Sequence, residues 1–307
     1  MHSKAQNLIV ILGPTGVGKS SIAVKLAKRL GGEIINCDSM QVYKGLDIGT
    51  DKIPLKKRDG IPHHLLDVVD FSTQYTAADF VDQSLQAIKD ILKRKKIPFV
   101  VGGTGLYLKA LLDGLFPGGK SNPELRQKLE KEAQGKGLES LRAKLMEVDP
   151  DYCQKIHDND KVRIIRALEV FLSTQKPLSQ HFLNTRSHVD DFNIIKIGLK
   201  LERKELYTKI EKRTDKMFEK GIVREAENLL KQGVDENSPP FRALGYKNVL
   251  KFLTNEIPLE EAISLTKRDT RRYVKRQMTW FRKMEGIHWF SPDDFEAILK
   301  FIKDNLE

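Results

Sequence analysis

Leu8-Ile9-Val10-Ile11-Leu12-Gly13-Pro14-Thr15-Gly16-Val17-Gly18-Lys19-Ser20 is an apolar run that breaks into a glycine-rich turn. The run has no alternation, as expected of a strand buried on both faces of a parallel sheet. Gly13 to Ser20 matches the phosphate-loop pattern G-x-x-x-x-G-K-[ST] in full, with a strand before it and an amphipathic helix after it. Glycines let the backbone curl so that successive N–H groups point at phosphate oxygens, and the following helix adds its dipole. Lys19 is placed to neutralise an outer phosphate and Ser20 to hold a magnesium ion. Such a loop reads phosphates and not the group attached to them. ATPase, kinase and diphosphate-leaving-group chemistry all fit it.

Working outward, a helix is predicted over Lys19 to Leu30, with Ile22, Leu26 and Leu30 on one stripe and Gly31-Gly32 stopping it. Glu33 to Cys37 reads as a second strand, beside the phosphate-loop strand, and His64 to Val69 as another. Ala77 to Lys93 is an amphipathic helix. Ile97 to Val101 is a further buried strand, ending in Gly102-Gly103-Thr104-Gly105. Strands alternating with helices define an α/β chain with a doubly wound parallel sheet, which gathers ligands at the carboxyl ends of its strands. Pro117-Gly118-Gly119 marks a boundary, and 118–190 reads as a helical insertion carrying Leu125/Leu129, Leu138/Leu141/Leu145 and Val162 to Leu172. Phe192 to Leu201 returns to the core as a strand, and helices follow from Lys204 onward. The core is therefore expected to comprise 1–117 and 191–307.

The composition is that of a globular protein, but Lys and Arg number 53 against 42 Asp and Glu, a formal net charge of +11. That excess favours a polyanionic partner. Cys37 and Cys153 lie far apart, which argues against a disulfide framework or a zinc module and fits a reducing cytosol. No apolar stretch reaches membrane-spanning length, and the first five-residue run is too short for a signal-peptide core. A soluble, cytoplasmic protein without membrane contact is expected, with a monomer as the default.

Several residues then stand out. Asp38 ends the second strand, where a carboxylate can orient an acceptor, take a proton or cap a turn. Thr104 lies at another strand end, as a hydroxyl donor or a helix cap. In Glu205 to Lys220 the inward stripe should be Leu206, Ile210, Arg213 and Met217. Arg213 breaks that stripe, and either an anionic ligand or snorkelling to water from the edge of the core would account for an arginine there. On a helical wheel of Lys267 to Lys283, Tyr273, Val274, Met278, Phe281 and Met284 form one face. Arg268, Arg271, Arg272, Lys275, Thr279 and Arg282 form the other, a basic ridge suited to a phosphate backbone. Arg163 and Arg166 share a face in the insertion. The strand Ile97 to Val101 ends without the acidic residue that nucleotide hydrolases use for magnesium, which weakens a hydrolase reading.

Together these segments resemble the tRNA dimethylallyltransferases. The phosphate loop is followed by Asp38-Ser39-Met40-Gln41-Val42-Tyr43 and Asp47-Ile48-Gly49-Thr50. Ile61-Pro62-His63-His64-Leu65, Gly102 through Tyr107, Arg163 through Glu169, Ala243-Leu244-Gly245-Tyr246-Lys247 and Lys275-Arg276-Gln277-Met278-Thr279-Trp280 come next, in family order. The resemblance implies a P-loop NTPase-like fold and transfer of a dimethylallyl group from its diphosphate to the exocyclic amine of the adenosine 3′ of the anticodon. Gly13, Pro14, Thr15, Gly16, Val17, Gly18, Lys19 and Ser20 would grip the diphosphate with magnesium, Arg213 would help neutralise it, Asp38 would be the base, and Thr104 would face the reaction channel. By family position the anticodon stem-loop would be contacted by Asp38 to Gln41, Thr104, Arg126, Val162-Arg163-Ile164-Ile165-Arg166, Arg242 to Lys247, and Lys275 to Trp280 with Phe281 and Arg282. His63 and His64 are read as structural. By its length and its two cysteines the chain is expected to be without the C-terminal zinc-finger extension of eukaryotic relatives and resembles the bacterial form. Rival readings are an adenylate prenyltransferase on free nucleotide, a P-loop nucleotide kinase or RNA-stimulated ATPase, and a non-catalytic RNA-binding module.

Overall fold

The structure, a computed structural model, describes residues 5–116 and 122–307. Six strands form one parallel sheet: β1 Gln6–Leu12, β2 Gly32–Cys37, β3 His63–His64, β4 Ile97–Gly102, β5 Phe192–Leu199 and β6 Ile287–Phe290, in the order β3-β2-β4-β1-β5-β6. The helices are α1 Lys19–Leu30, α2 Ala77–Lys93, α3 Gly105–Asp113, α4 Pro123–Lys136, α5 Leu138–Val148, α6 Pro150–Cys153, α7 Lys161–Thr174 and α8 Leu178–Leu183. After β5 come α9 Arg203–Glu219, α10 Ile222–Lys231, α11 Pro239–Arg242, α12 Tyr246–Leu253, α13 Leu259–Phe281 and α14 Phe295–Asp304.

The local signals act as their chemistry predicts. Thr76 and Asp79 form a capping box that starts α2. Gly31, in the left-handed region at φ 69°, ends α1. Leu8 to Leu12 are fully buried, and Ile9 and Ile11 pack with Ile22, Leu26, Ile197 and Leu206 in the core of the sheet unit.

Three expectations need correction. β2 is not the neighbour of β1, because β4 lies between them. Only His63 and His64 of the third strand pair with β2, since Leu65 and Asp67 take positive φ and break the extended backbone; Val69 makes an isolated bridge to Tyr43. The C-terminal region is not all helical. Ile287–Phe290 adds a parallel edge strand to β5, too short to show a period in sequence.

The chain divides into two compact units, Met1–Ala110 with Val189–Glu307, and Leu111–His188. The helical unit thus begins within α3, while the boundary expected at Pro117-Gly118-Gly119 lies outside the described residues. Its core is built from Leu129, Leu141, Leu145, Ile164, Ile165 and Leu168. Asp149 is buried there, capping α6 through Tyr152 N–H at 3.1 Å and accepting Ser179 N–H at 2.9 Å.

In the sheet unit, the loop after β2 is held by a distant carboxylate. Glu225 accepts the backbone N–H groups of Asp47, Ile48 and Gly49 at 3.1, 2.9 and 3.2 Å, and the buried Tyr246 hydroxyl donates to it. Buried Lys52 spans Asp47 and Asp67 on the same loop. Removing the Glu225 carboxylate leaves these donors unanswered. Glu225→Ala should therefore cost about 2–4 kcal/mol in urea unfolding and expose the 47–49 amides to hydrogen exchange. Unchanged stability and exchange would contradict this role.

Candidate active site

In register, Leu12 of β1 and Cys37 of β2 both stand opposite Gly102 of β4. The segments that follow, Gly13, Asp38 and Gly103-Thr104, therefore leave the sheet on one line at the carboxyl ends of the strands. This is where ligands bind in open α/β sheets.

The phosphate loop is built as a receptor for anions. Gly18 precedes α1 at φ 104°, a backbone that an L side chain rarely adopts, and no side chain caps the helix. Its first N–H groups and the helix dipole are left for an anionic group. Lys19 Nζ lies across the loop, donating to Gly13 O and Pro14 O at 2.9 Å each. Its pKa is lowered to about 8, chiefly because its ammonium is deprived of water; the Asp38 carboxylate opposes this and the Arg213 guanidinium adds to it. Ser20 lies in the first turn of α1. Among the described residues no three His, Cys, Asp or Glu side chains converge on one point. A divalent ion at this loop would accordingly be a hard cation held by phosphate oxygens and a hydroxyl, not by a protein cage.

A cavity of about 250 Å³ opens beside the loop. Polar Asp38, Thr15, Thr50 and Arg213, apolar Ile210, Met217 and Leu244, and Tyr273, Arg242 and Arg276 are among its lining residues. Asp38 Oδ1 accepts the N–H groups of Met40 and Gln41 at 2.9 and 3.3 Å. The turn-forming role and the cavity position coexist in one carboxylate. Thr104 does not use its hydroxyl to cap α3; it accepts Ser39 N–H at 3.2 Å and ties β4 to the loop after β2. The Tyr273 hydroxyl lies against Thr104. Its pKa is pushed up by loss of water first and by the Asp38 charge next, so it stays a neutral donor.

Arg213 is not part of the core stripe of α9, which runs Leu206, Ile210, Thr214 and Met217. Its guanidinium donates to the Thr15 hydroxyl and to Thr50 O at 3.2 Å, and its Nε lies 2.9 Å from Asp51 Oδ2 without alignment for a hydrogen bond. The side chain is 22% exposed. A cation so placed faces the phosphate loop, with the Asp51 carboxylate beside it.

The basic helix α13 also differs from its helical-wheel prediction. Its buried face is Ala262, Thr266, Thr270, Val274, Gln277 and Phe281. Threonines can sit there because Thr266 and Thr270 donate to the carbonyls of Ala262 and Thr266, each at 2.8 Å. Arg268, Arg272, Lys275, Arg276, Thr279 and Arg282 are exposed, whereas Arg271 is half-buried and paired with Glu211 at 2.7 Å. Among the residues expected to touch RNA, Gly245 and the side chains of Ala243, Tyr246, Gln277 and Phe281 are buried in the sheet unit, and those of Ile164 and Ile165 in the helical unit. Val162, Arg163, Arg242, Lys247, Lys275, Arg276 and Arg282 are exposed. Arg126 pairs with Glu130, and Arg166 with buried Glu169. His63 and His64 bond to Ile61 O and to Glu33 at 2.8 and 2.7 Å, at the sheet edge.

A phosphate loop, a carboxylate and a guanidinium facing one cavity, beside a basic helix, define a P-loop group-transfer enzyme of α/β architecture. Residues 41–284 match the family model described as IPP transferase, and 6–63 the one described as Isopentenyl transferase. The tRNA dimethylallyltransferase of Acetivibrio thermocellus is 46% identical over 97% of this chain and 96% of its own length. That of Geobacter metallireducens is 45% identical over 96% of each. Among solved structures, the tRNA isopentenylpyrophosphate transferase of Bacillus halodurans superposes with a TM-score of 0.73 at 40% identity, covering 98% of this chain and 97% of that one. A eukaryotic dimethylallyltransferase acting on tRNA gives a TM-score of 0.82 at 34% identity, over 95% of this chain and 75% of that one. The chain belongs to the tRNA dimethylallyltransferase family, and its fold is P-loop NTPase-like. No helix among the described residues is long and apolar enough to cross a membrane.

The lowered Lys19 pKa sets a pH dependence. In the free protein the ammonium is charged below about 8 and neutral above it. A diphosphate seated on this loop would favour the charged form, so above that pH its binding would take up a proton. Affinity for dimethylallyl diphosphate should be level near pH 7 and fall by up to about tenfold per unit above pH 8. Calorimetry across this range checks it, and a flat profile to pH 9.5 would contradict it.

Proposed function

We infer that the chain is a tRNA prenyltransferase. It transfers the dimethylallyl group of dimethylallyl diphosphate to the exocyclic amine of the adenosine 3′ to the anticodon, releasing diphosphate. The observation that carries the residue-level account is the shared cavity. Asp38 and Arg213 face the same space as Thr15 of the phosphate loop.

The diphosphate is seated on the loop Gly13 to Ser20, whose N–H groups not engaged elsewhere receive its oxygens, with Lys19 and Arg213 supplying positive charge. Magnesium, held by Ser20 and the diphosphate oxygens, would neutralise further charge on the leaving group. Ile210, Met217 and Leu244 give the cavity apolar lining that suits the five-carbon chain. As the C1–O bond breaks, charge grows on diphosphate oxygens that already face fixed donors, which cost no reorganisation in the transition state. The adenine amine attacks C1, forming the N–C bond. Its proton passes to Asp38, whose Oδ1 is fixed by Met40 and Gln41 N–H. Thr104 and Tyr273 fix the neighbouring wall. To reach Asp38 the base must leave the anticodon-loop stack. The exposed cations of α13, with Arg242 and Lys247, suit the tRNA backbone, as Arg163 of the helical unit does.

With magnesium and labelled dimethylallyl diphosphate, the protein should label unmodified tRNA and leave AMP unlabelled. Labelling of AMP alone, or brisk ATP turnover without transfer, would overturn the reading. Asp38→Ala should lower turnover by about 10²–10⁴-fold while retaining tRNA binding. A near-wild-type rate would remove Asp38 as the base. Binding of tRNA should weaken steeply with salt, and salt-independent affinity would exclude the basic helix from the interface.

A further inference from the structure

Gln277 lies within the basic stretch of α13, yet its side chain is only 4% exposed. It spans two site segments. Its Oε1 accepts Thr15 N–H at 2.9 Å, and its Nε2 donates to Gly103 O at 2.9 Å. An amide is the neutral side chain that offers an acceptor and a donor on one rigid plane, so both ends are satisfied at once. The approach is close. A Cβ on Gly103 would fall 2.3 Å from Gln277 Nε2, and one on Gly105 would fall 2.8 Å from the Trp280 ring. The glycines on either side of Thr104 are thus explained by α13, which could not seat against the loop after β4 if they carried side chains.

We propose that Gln277 is a positioning residue for diphosphate. It fixes the curl of the phosphate loop at Thr15 and locks that loop to the Gly103-Thr104 segment, from a helix whose opposite face is basic. Thr15 is also the residue whose hydroxyl receives Arg213. One residue of the loop is therefore gripped from α13 through its backbone and from α9 through its side chain. Without Gln277, Thr15 N–H and Gly103 O both lose a partner inside a dry site, the loop relaxes, and the N–H groups that receive phosphate lose their alignment. Small displacements of such positioning groups are costly in rate. Gln277 touches neither substrate in this arrangement; its effect passes through Thr15 and Gly103.

The inference rests on the phosphate loop being the diphosphate seat, and Lys19→Ala serves as the reference for that seat. Gln277→Leu keeps the bulk and removes both hydrogen bonds. Its affinity for dimethylallyl diphosphate should fall by about tenfold, with tRNA affinity unchanged. Gln277→Glu supplies a signature that packing alone would not produce. As a carboxylate it repels Gly103 O, whereas as a carboxylic acid it restores one donor and one acceptor. Burial raises the pKa of such a carboxyl, against the opposing pull of the Lys19 ammonium beside Gly103, and the affinity of Gln277→Glu relative to wild type should recover as pH is lowered from about 8 to about 6. Gly103→Ala keeps the amide but displaces it, and should reproduce the Gln277→Leu defect. Wild-type diphosphate affinity in Gln277→Leu, with Lys19→Ala impaired, would overturn the proposal and leave the phosphate-loop reading standing. Wild-type affinity in both would overturn the two together. A Gln277→Leu defect shared equally by both substrates, with no acid recovery in Gln277→Glu, would reduce Gln277 to a packing residue.

Discussion

The site depends on one constraint of register. Three parallel strands, β2, β4 and β1, end level with one another because Gly102 pairs with both Cys37 and Leu12. A carboxylate, a hydroxyl and a phosphate loop, widely separated in sequence, thereby leave the sheet side by side. A slip of one residue in β4 would turn its alternating faces over and carry Thr104 away from Ser39. Burial of Phe99, Val100 and the β1 residues on both faces of the sheet makes such a slip costly.

Around that line the fold distributes charge unequally. Lys19 and Arg213 share a poorly hydrated corner: Gly13 O and Pro14 O hold the first, and the Thr15 hydroxyl, Thr50 O and the Asp51 carboxylate hold the second. Two cations kept together without a full complement of carboxylates form a site preorganised for an anion that gains charge during the reaction. The supports lie further out. Glu225 holds the loop that carries Thr50, and Gln277 holds the loop that carries Thr15. Both reach in from C-terminal helices, so the region after β5 is part of the site's construction.

What was legible in sequence follows from how local each signal is. The phosphate loop, α1 and α2 depend on spacing, caps and short-range apolar pattern, and the chain spells these out. Arg213 was visible because it broke a stripe, although its partners were not. The order of the sheet was not legible, since β4 enters between β1 and β2 through pairing that no local pattern encodes. Thr266 and Thr270 are polar side chains, yet they sit in the buried face because their hydroxyls bond to their own helix. Gln277 was hidden among cations and read with them. Its partners lie 262 and 174 residues away, beyond the reach of any periodicity. The same distance hides the reason for Asp47 to Gly49, whose N–H groups meet Glu225.

The central claim is that one cavity brings the diphosphate loop and Asp38 to the same reacting atoms. The most direct measurement is a crystal structure of this chain with an unreactive dimethylallyl diphosphate analogue and an anticodon stem-loop. The account predicts the diphosphate on Gly13 to Ser20 and the target amine within hydrogen-bond reach of Asp38, about 2.6–3.2 Å. A base bound outside the cavity, or a diphosphate seated away from the loop, would contradict it.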